Sequence, residues 1–169
     1  MFAEGDYISH SSGGVCRVAG ITLMEVPGAG RKKEYYILKP VYDRSATVYS
    51  PVETGKALKC RKIMTEDQAR ALLDKASGLE RLTAPNSKEL EERCKLAVQS
   101  EECVEWARAI KTLWQERDKR LSVGKRMTVL QERYLKAAEE KLCGELAVSL
   151  GSERETVEEL LRERLMVGV

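Results

Sequence analysis

One histidine, five cysteines and several neighbouring carboxylates are the residues of this 169-residue sequence that could do covalent or acid–base chemistry. His10 sits in a polar stretch, and a histidine base or switch needs a partner to poise it. A cysteine nucleophile needs a base, and His10 is the only histidine on offer to Cys16, Cys60, Cys94, Cys103 or Cys143. The thiols stand at scattered spacings with no CxxC pair, so neither a zinc signature nor a disulfide frame is expected. Reduced core thiols in a cytoplasmic protein fit better. Glu139 and Glu140, like Glu158 and Glu159, fall on helix-patterned stretches and read as solvated surface. Residues 12–14 and 27–30 contain glycine but match no phosphate-binding loop, so they read as turns. The expectation is a chain that is no enzyme, with no catalytic residues, metal, cofactor or small-molecule substrate.

The densest chemistry-bearing feature is cationic. Arg117, Lys119, Arg120, Lys125 and Arg126 fall within ten residues, with Asp118 the only acid among them. Such a turn between helices can hold phosphates, and a helix opening at Thr128 adds backbone N–H donors. Lys88 and Lys95 are weaker candidates for the same task. Phosphate contacts of this kind position a protein without reading sequence. The net charge of the whole chain is only +2, so any nucleic-acid role rests on this local patch. No apolar run approaches the roughly 18 residues needed to span a bilayer, and the start shows no secretory pattern.

The elements that must carry these residues change character near residue 64. Before it the pattern is short strands and turns. A strand starts at Tyr7 and Ile8; residues 15–21 alternate, as do 34–39, 46–50 and 58–63. Residues 27–30 make a hairpin turn, with Arg31, Lys32 and Lys33 exposed at its far side. Five short strands suggest a small antiparallel barrel, because closure removes open edges. After residue 64 the period is helical. Thr65 and Gln68, Thr128 and Gln131, and Ser152 and Glu155 are spaced as capping boxes. Asn86 with Glu89 caps another helix. Ser100 precedes Glu101 and Glu102, which are expected in a first turn, where the helix dipole favours acids. Residues 78–85 read as a linker, and Gly151 as a helix stop. The fold class expected is α+β, with a barrel over 1–63, a short helix and linker over 64–85, and an all-helical domain over 86–169.

The motifs resemble one family. Phe2, Gly5, Asp6, Tyr7 and Ile8, followed by Gly13, Gly14 and Val15, are similar to the start of the bacterial CarD/CdnL transcription regulators. Residues 34–39 and 47–51 resemble their next strand landmarks. In the helical part, 110–114, 121–127 and 142–147 resemble further blocks, so the similarity runs from about residue 2 to 148. The resemblance implies a Tudor-like barrel that pairs its sheet edge with the RNA polymerase β subunit. It also implies a helical domain that meets promoter DNA at the upstream edge of the transcription bubble and slows its collapse. Carried onto this chain, the polymerase-facing edge includes Met24, Tyr36, Leu38, Val48 and Tyr49. In much of the family a tryptophan opens the helix that starts here at Asn86 and wedges into the minor groove. This chain has Ser87, with Glu89, Glu91 and Glu92 where bases are usual, and Met24 and Tyr49 stand where arginines are. The alternative reading is a protein-interaction adaptor whose barrel binds another partner, without DNA contact.

Overall fold

The computed structural model describes residues 1–28, 30–53 and 60–167. The chain divides into two units, Met1–Ile63 and Met64–Val169. In the first, five strands form one antiparallel sheet: β1 (Tyr7–His10), β2 (Gly14–Glu25), β3 (Lys32–Pro40), β4 (Val48–Pro51) and β5 (Cys60–Lys62). The order across the sheet is β4-β3-β2-β1-β5. Ile8, Cys16, Val18, Tyr36 and Leu38 form its core, with Phe2, Val48, Val52 and Cys60 packed against them. A bulge between Val18 and Gly20 adds one residue to β2, which bends the strand.

The expected barrel is corrected to an open sheet. Closure would need β4 to pair with β5, and among the described residues β4 pairs with β3 alone and β5 with β1 alone. At four and three residues, the two end strands offer few bonds with which to close a cylinder. Leu58 and Lys59 of the expected fifth strand lie outside the described residues. His10, expected in a loop, ends β1 and is buried. Its Nδ1 meets the backbone N–H groups of Ser12 and Gly13 at 3.3 and 3.2 Å, so it holds the β1–β2 turn.

The second unit contains α1 (Glu66–Lys75), a 3-10 turn (Ala76–Gly78), α2 (Ser87–Gln99), α3 (Cys103–Ser122), α4 (Val129–Leu150) and α5 (Arg154–Leu165). Thr65 and Thr128 cap α1 and α4 with complete boxes, and Asn86 caps α2 by accepting from Glu89 N. Gly151 ends α4 at φ 65°, a left-handed turn that costs glycine little. The core is a stripe from each helix, including Leu90, Ile110, Leu113, Leu142, Leu146 and Leu161, around Trp106 and Trp114.

Two capping expectations fail. Glu101 and Glu102 are not in the first turn of α3; the helix starts at Cys103, and Glu101 has φ 58°. The reason is tertiary: Glu101 is buried in an ion pair with Lys141 of α4. The cap of α5 is Glu153 rather than Ser152, and its side chain accepts no bond. Glu139 is half-buried rather than solvated, because it accepts the Trp114 indole N–H at 2.7 Å; burial pushes its carboxyl pKa up. The stretch after Gly78 is irregular yet pinned. Lys111 Nζ donates to the carbonyls of Ser77 and Leu79 at 3.3 and 2.8 Å, and Leu82 N donates to Thr112 Oγ1 at 2.8 Å. The unit's first residue is held too. Met64 N donates to buried Glu145 at 3.1 Å, and Ser149 Oγ donates to the Met64 carbonyl at 2.7 Å.

Candidate interaction surfaces

In the first unit the pairing register assigns each strand residue to a face. Tyr36 lies opposite Ser50 and Leu38 opposite Val48, and all four turn toward the core or half toward it. Ile37 lies opposite Tyr49, Tyr35 opposite Pro51, and Met24 opposite Lys33; this is the other face. Tyr49 is 50% exposed and Met24 36%. The outer face therefore carries Met24, Tyr35, Ile37, Tyr49 and Pro51, flanked by the exposed amines of Lys33 and Lys39.

Two expected edge residues are corrected. Tyr36 and Leu38 are 3% and 0% exposed. The Tyr36 phenol accepts the backbone N–H of Phe2 at 3.0 Å, and the two rings sit 5.5 Å apart, so this side chain plugs the core. Val48 packs against the same core as a partly buried residue. Of the five candidates, only Met24 and Tyr49 present side chains outward. Tyr35 and Ile37 share this outer face and were missed: Lys32 and Glu34 fall on the even-numbered phase and Lys33 and Lys39 on the odd, so charge alone does not mark the solvent face.

The backbone of β4 adds a second element. Val52 N donates to Glu34 O at 3.0 Å, which sets the alternation along the pair. Val48 and Ser50 then direct N–H and C=O toward β3, and Tyr49 directs its own away from it. Pro51 has no N–H, so it cuts short the donor row on that margin. A 390 Å³ hollow at the neighbouring hairpin end is lined by Arg31, Lys32 and Lys33, with Tyr35, Pro51 and Glu53.

Residues 2–64 match the family model of the CarD-like/TRCF RID domain. The first unit is a CarD-like/TRCF RID domain. RID domains are protein-interaction domains of transcription, not an enzyme family. The match ends where the sheet unit ends, so the helical blocks at 110–114, 121–127 and 142–147 stand on resemblance alone. No curated protein matches the chain.

Beyond the RID domain, the helical unit leaves some of the expected cations exposed and diverts others. Arg120 is committed. Its guanidinium donates to Glu116 at 3.1 Å, to the Arg126 carbonyl at 3.2 Å and to Ser87 Oγ at 3.1 Å. Thr128 Oγ1 donates to Glu91 at 2.6 Å. These bonds clasp the start of α2 to the α3–α4 connection. Lys88, Lys119, Lys125 and Arg126 are all exposed. Lys95 is half-buried, two turns along the same face of α2 as Lys88. Arg117 is half-buried and lies close enough to Glu139 to favour its charged form. Both tryptophans are interior, at 1% exposure. Among the described residues, no three His, Cys, Asp or Glu side chains group as metal ligands, and no helix is long and apolar enough to cross a membrane.

Proposed function

We propose that this protein is a non-enzymatic transcription regulator that docks on the RNA polymerase β subunit and steadies the open promoter complex. The observation that carries the reading is the outward face of the RID sheet, where Tyr49 offers both its ring and its backbone N–H and C=O at an end strand. Adding a partner strand there gives affinity through main-chain bonds, and the alternate side chains set partner choice. The exposed cations Lys88, Lys119, Lys125 and Arg126 would hold phosphates of promoter DNA without reading bases. Tethering to the polymerase raises local concentration, so weak phosphate contacts suffice. Tudor-like geometry and a cytoplasmic setting belong to the same proposal.

The test is the lifetime of an open complex on one promoter. Wild-type protein should prolong it, Tyr49→Asp should abolish the effect by blocking docking, and Lys125→Ala with Arg126→Ala should shorten it. Identical lifetimes with and without wild-type protein reject the reading. The adaptor reading draws on Ser87, Glu89 and Glu92, which make the exposed start of α2 polar and acidic. Under it, polymerase subunits would be absent from material captured by the full chain.

A further inference from the structure

The sheet has a further open margin, on β2. β1 pairs with β2 only as far as Arg17, and Gly5 and Asp6 bond to Val18 just beyond it. Past the bulge, residues 21–25 of β2 pair with β3 on one side. Among the described residues, none bonds to their backbone on the other side. The direction of those free groups follows from β4. Glu34 gives its carbonyl to Val52 N, so Leu23, its partner across β2 and β3, turns its N–H and C=O the opposite way. The same holds two residues to either side, at Ile21 and Glu25. The side chains of this margin are open too: Leu23 is 62% exposed and Ile21 44%. β4 ends in Pro51, and β5 is three residues long with Arg61 and Lys62. Those features blunt an edge against strand addition. Residues 21–25 contain no proline, no lysine and no bulge.

We propose that residues 21–25 pair with the same strand of a second copy of this chain, antiparallel and centred on Leu23. A two-fold interface must be complementary to itself, which leaves few registers. The centre must be a residue whose backbone faces outward: Ile21, Leu23 or Glu25. Centred on Glu25, the strands would set two carboxylates opposite each other, which is repulsive. Centred on Ile21, the incoming strand would run on to Val18, whose margin Gly5 and Asp6 already hold. Centred on Leu23, each Ile21 meets a Glu25, the two Leu23 side chains meet on the axis, and Thr22 faces Met24. No charge then opposes a like charge, and Glu25 lies opposite Lys32 of its own chain. The outward residues exchange both main-chain bonds with their partners, as in any antiparallel ladder. The second copy's strand ends at Glu25 and turns at Pro27 and Gly28, before the margin that Gly5 and Asp6 occupy. This self-matching register is what points to a second copy as the occupant. The extended sheet runs β4-β3-β2 of one copy into β2-β3-β4 of the other. Both Tyr49 margins stay at its ends, so docking on the polymerase does not compete for the same backbone.

The test is sedimentation of the full chain from about 1 μM to about 1 mM. Wild-type mass should rise reversibly from one chain toward two. Leu23→Lys puts two cations on the axis and should keep the protein monomeric throughout. Its melting temperature should be unchanged, because the side chain is exposed. Ile21→Glu faces Glu25 of the other copy and should weaken the dimer about tenfold, whereas Ile21→Lys should tighten it. A monomer at every concentration overturns the proposal. So does a dimer that Leu23→Lys leaves intact, or one to which Ile21→Glu and Ile21→Lys do the same. A dimer that fails to dissociate on dilution has exchanged strands rather than added them, and also rejects it. Polymerase capture should be equal for wild type and Leu23→Lys. Capture lost in that variant means that the margin receives a polymerase strand, which overturns the proposal. Dimerisation without any capture rejects the docking reading alone.

Discussion

The sheet unit and the helical unit both expose apolar side chains, but they do so by different means. On the sheet, Ile37 and Tyr49 are outward because alternation leaves every second residue there, and the same alternation frees the backbone of β4 at Tyr49. At the α3–α4 connection, Val123 in the turn and Val129 at the start of α4 are outward, and the backbone of the turn is occupied by its own clasp with Arg120. The first surface therefore has main-chain bonds to offer a partner, and the second has only side chains and charge. A sheet margin suits a protein strand; a charged, apolar turn suits a polyanion.

Breaking the sheet face at its root gives the largest effect. Leu38→Ala should cost the sheet unit about 2–5 kcal/mol, since the side chain is fully buried. Both tryptophans lie in the helical unit, so in urea unfolding indole fluorescence reports that unit alone, while hydrogen exchange of the Ile8 and Val18 amides reports the sheet unit. Equal shifts in both probes would count against that separation.

Arg120→Ala should lower the helical unit's stability by about 1 kcal/mol, because it removes three hydrogen bonds at once, two of them exposed to water. Lys125→Ala should stay within about 0.5 kcal/mol, as an exposed side chain with no such clasp does. Fluorescence-detected urea melts of the two variants decide this, and a reversed ranking would show that Arg120 is dispensable to the turn. Tyr49→Ser should leave both probes unchanged while weakening polymerase capture about tenfold. Unaltered capture would move the docking surface elsewhere on the domain.

The smallest signal is chemical. Burial pushes the thiols of Cys16, Cys60 and Cys94 up to about 11 and that of Cys143 to about 12. The thiolate is the reacting form, so labelling of these four should be slow near pH 7 and rise about tenfold per pH unit well below those values. A fast-labelling thiol among them at pH 7 would reopen the case for cysteine chemistry in either unit.

Local signals in the sequence carried most of the elements. The boxes at Thr65 and Thr128, the cap at Asn86 and the stop at Gly151 depend on contacts within four or five residues, and all are present. Glu101 departs because its partner Lys141 lies forty residues away, beyond any local pattern. The barrel expectation departs for a related reason: closure depends on the pairing of β4 with β5, which strand patterns do not encode. At the candidate surfaces the sequence found the composition but not the phase. Tyr36 and Tyr49 are the same residue type, and only the register against Ser50 and Ile37 separates a core plug from an exposed ring. Arg120 looked like one cation among five, and its clasp became visible only when Ser87 arrived beside it.

The hold on Met64 has a consequence for synthesis. Its peptide group is bound by side chains 81 and 85 positions later in the chain. A ribosome completes all five strands well before Glu145 and Ser149 emerge, and domains fold in the order they are made. The nascent chain therefore passes through a stage in which the sheet and its Tyr49 margin are finished while the helical half still lacks the residues that secure its own beginning.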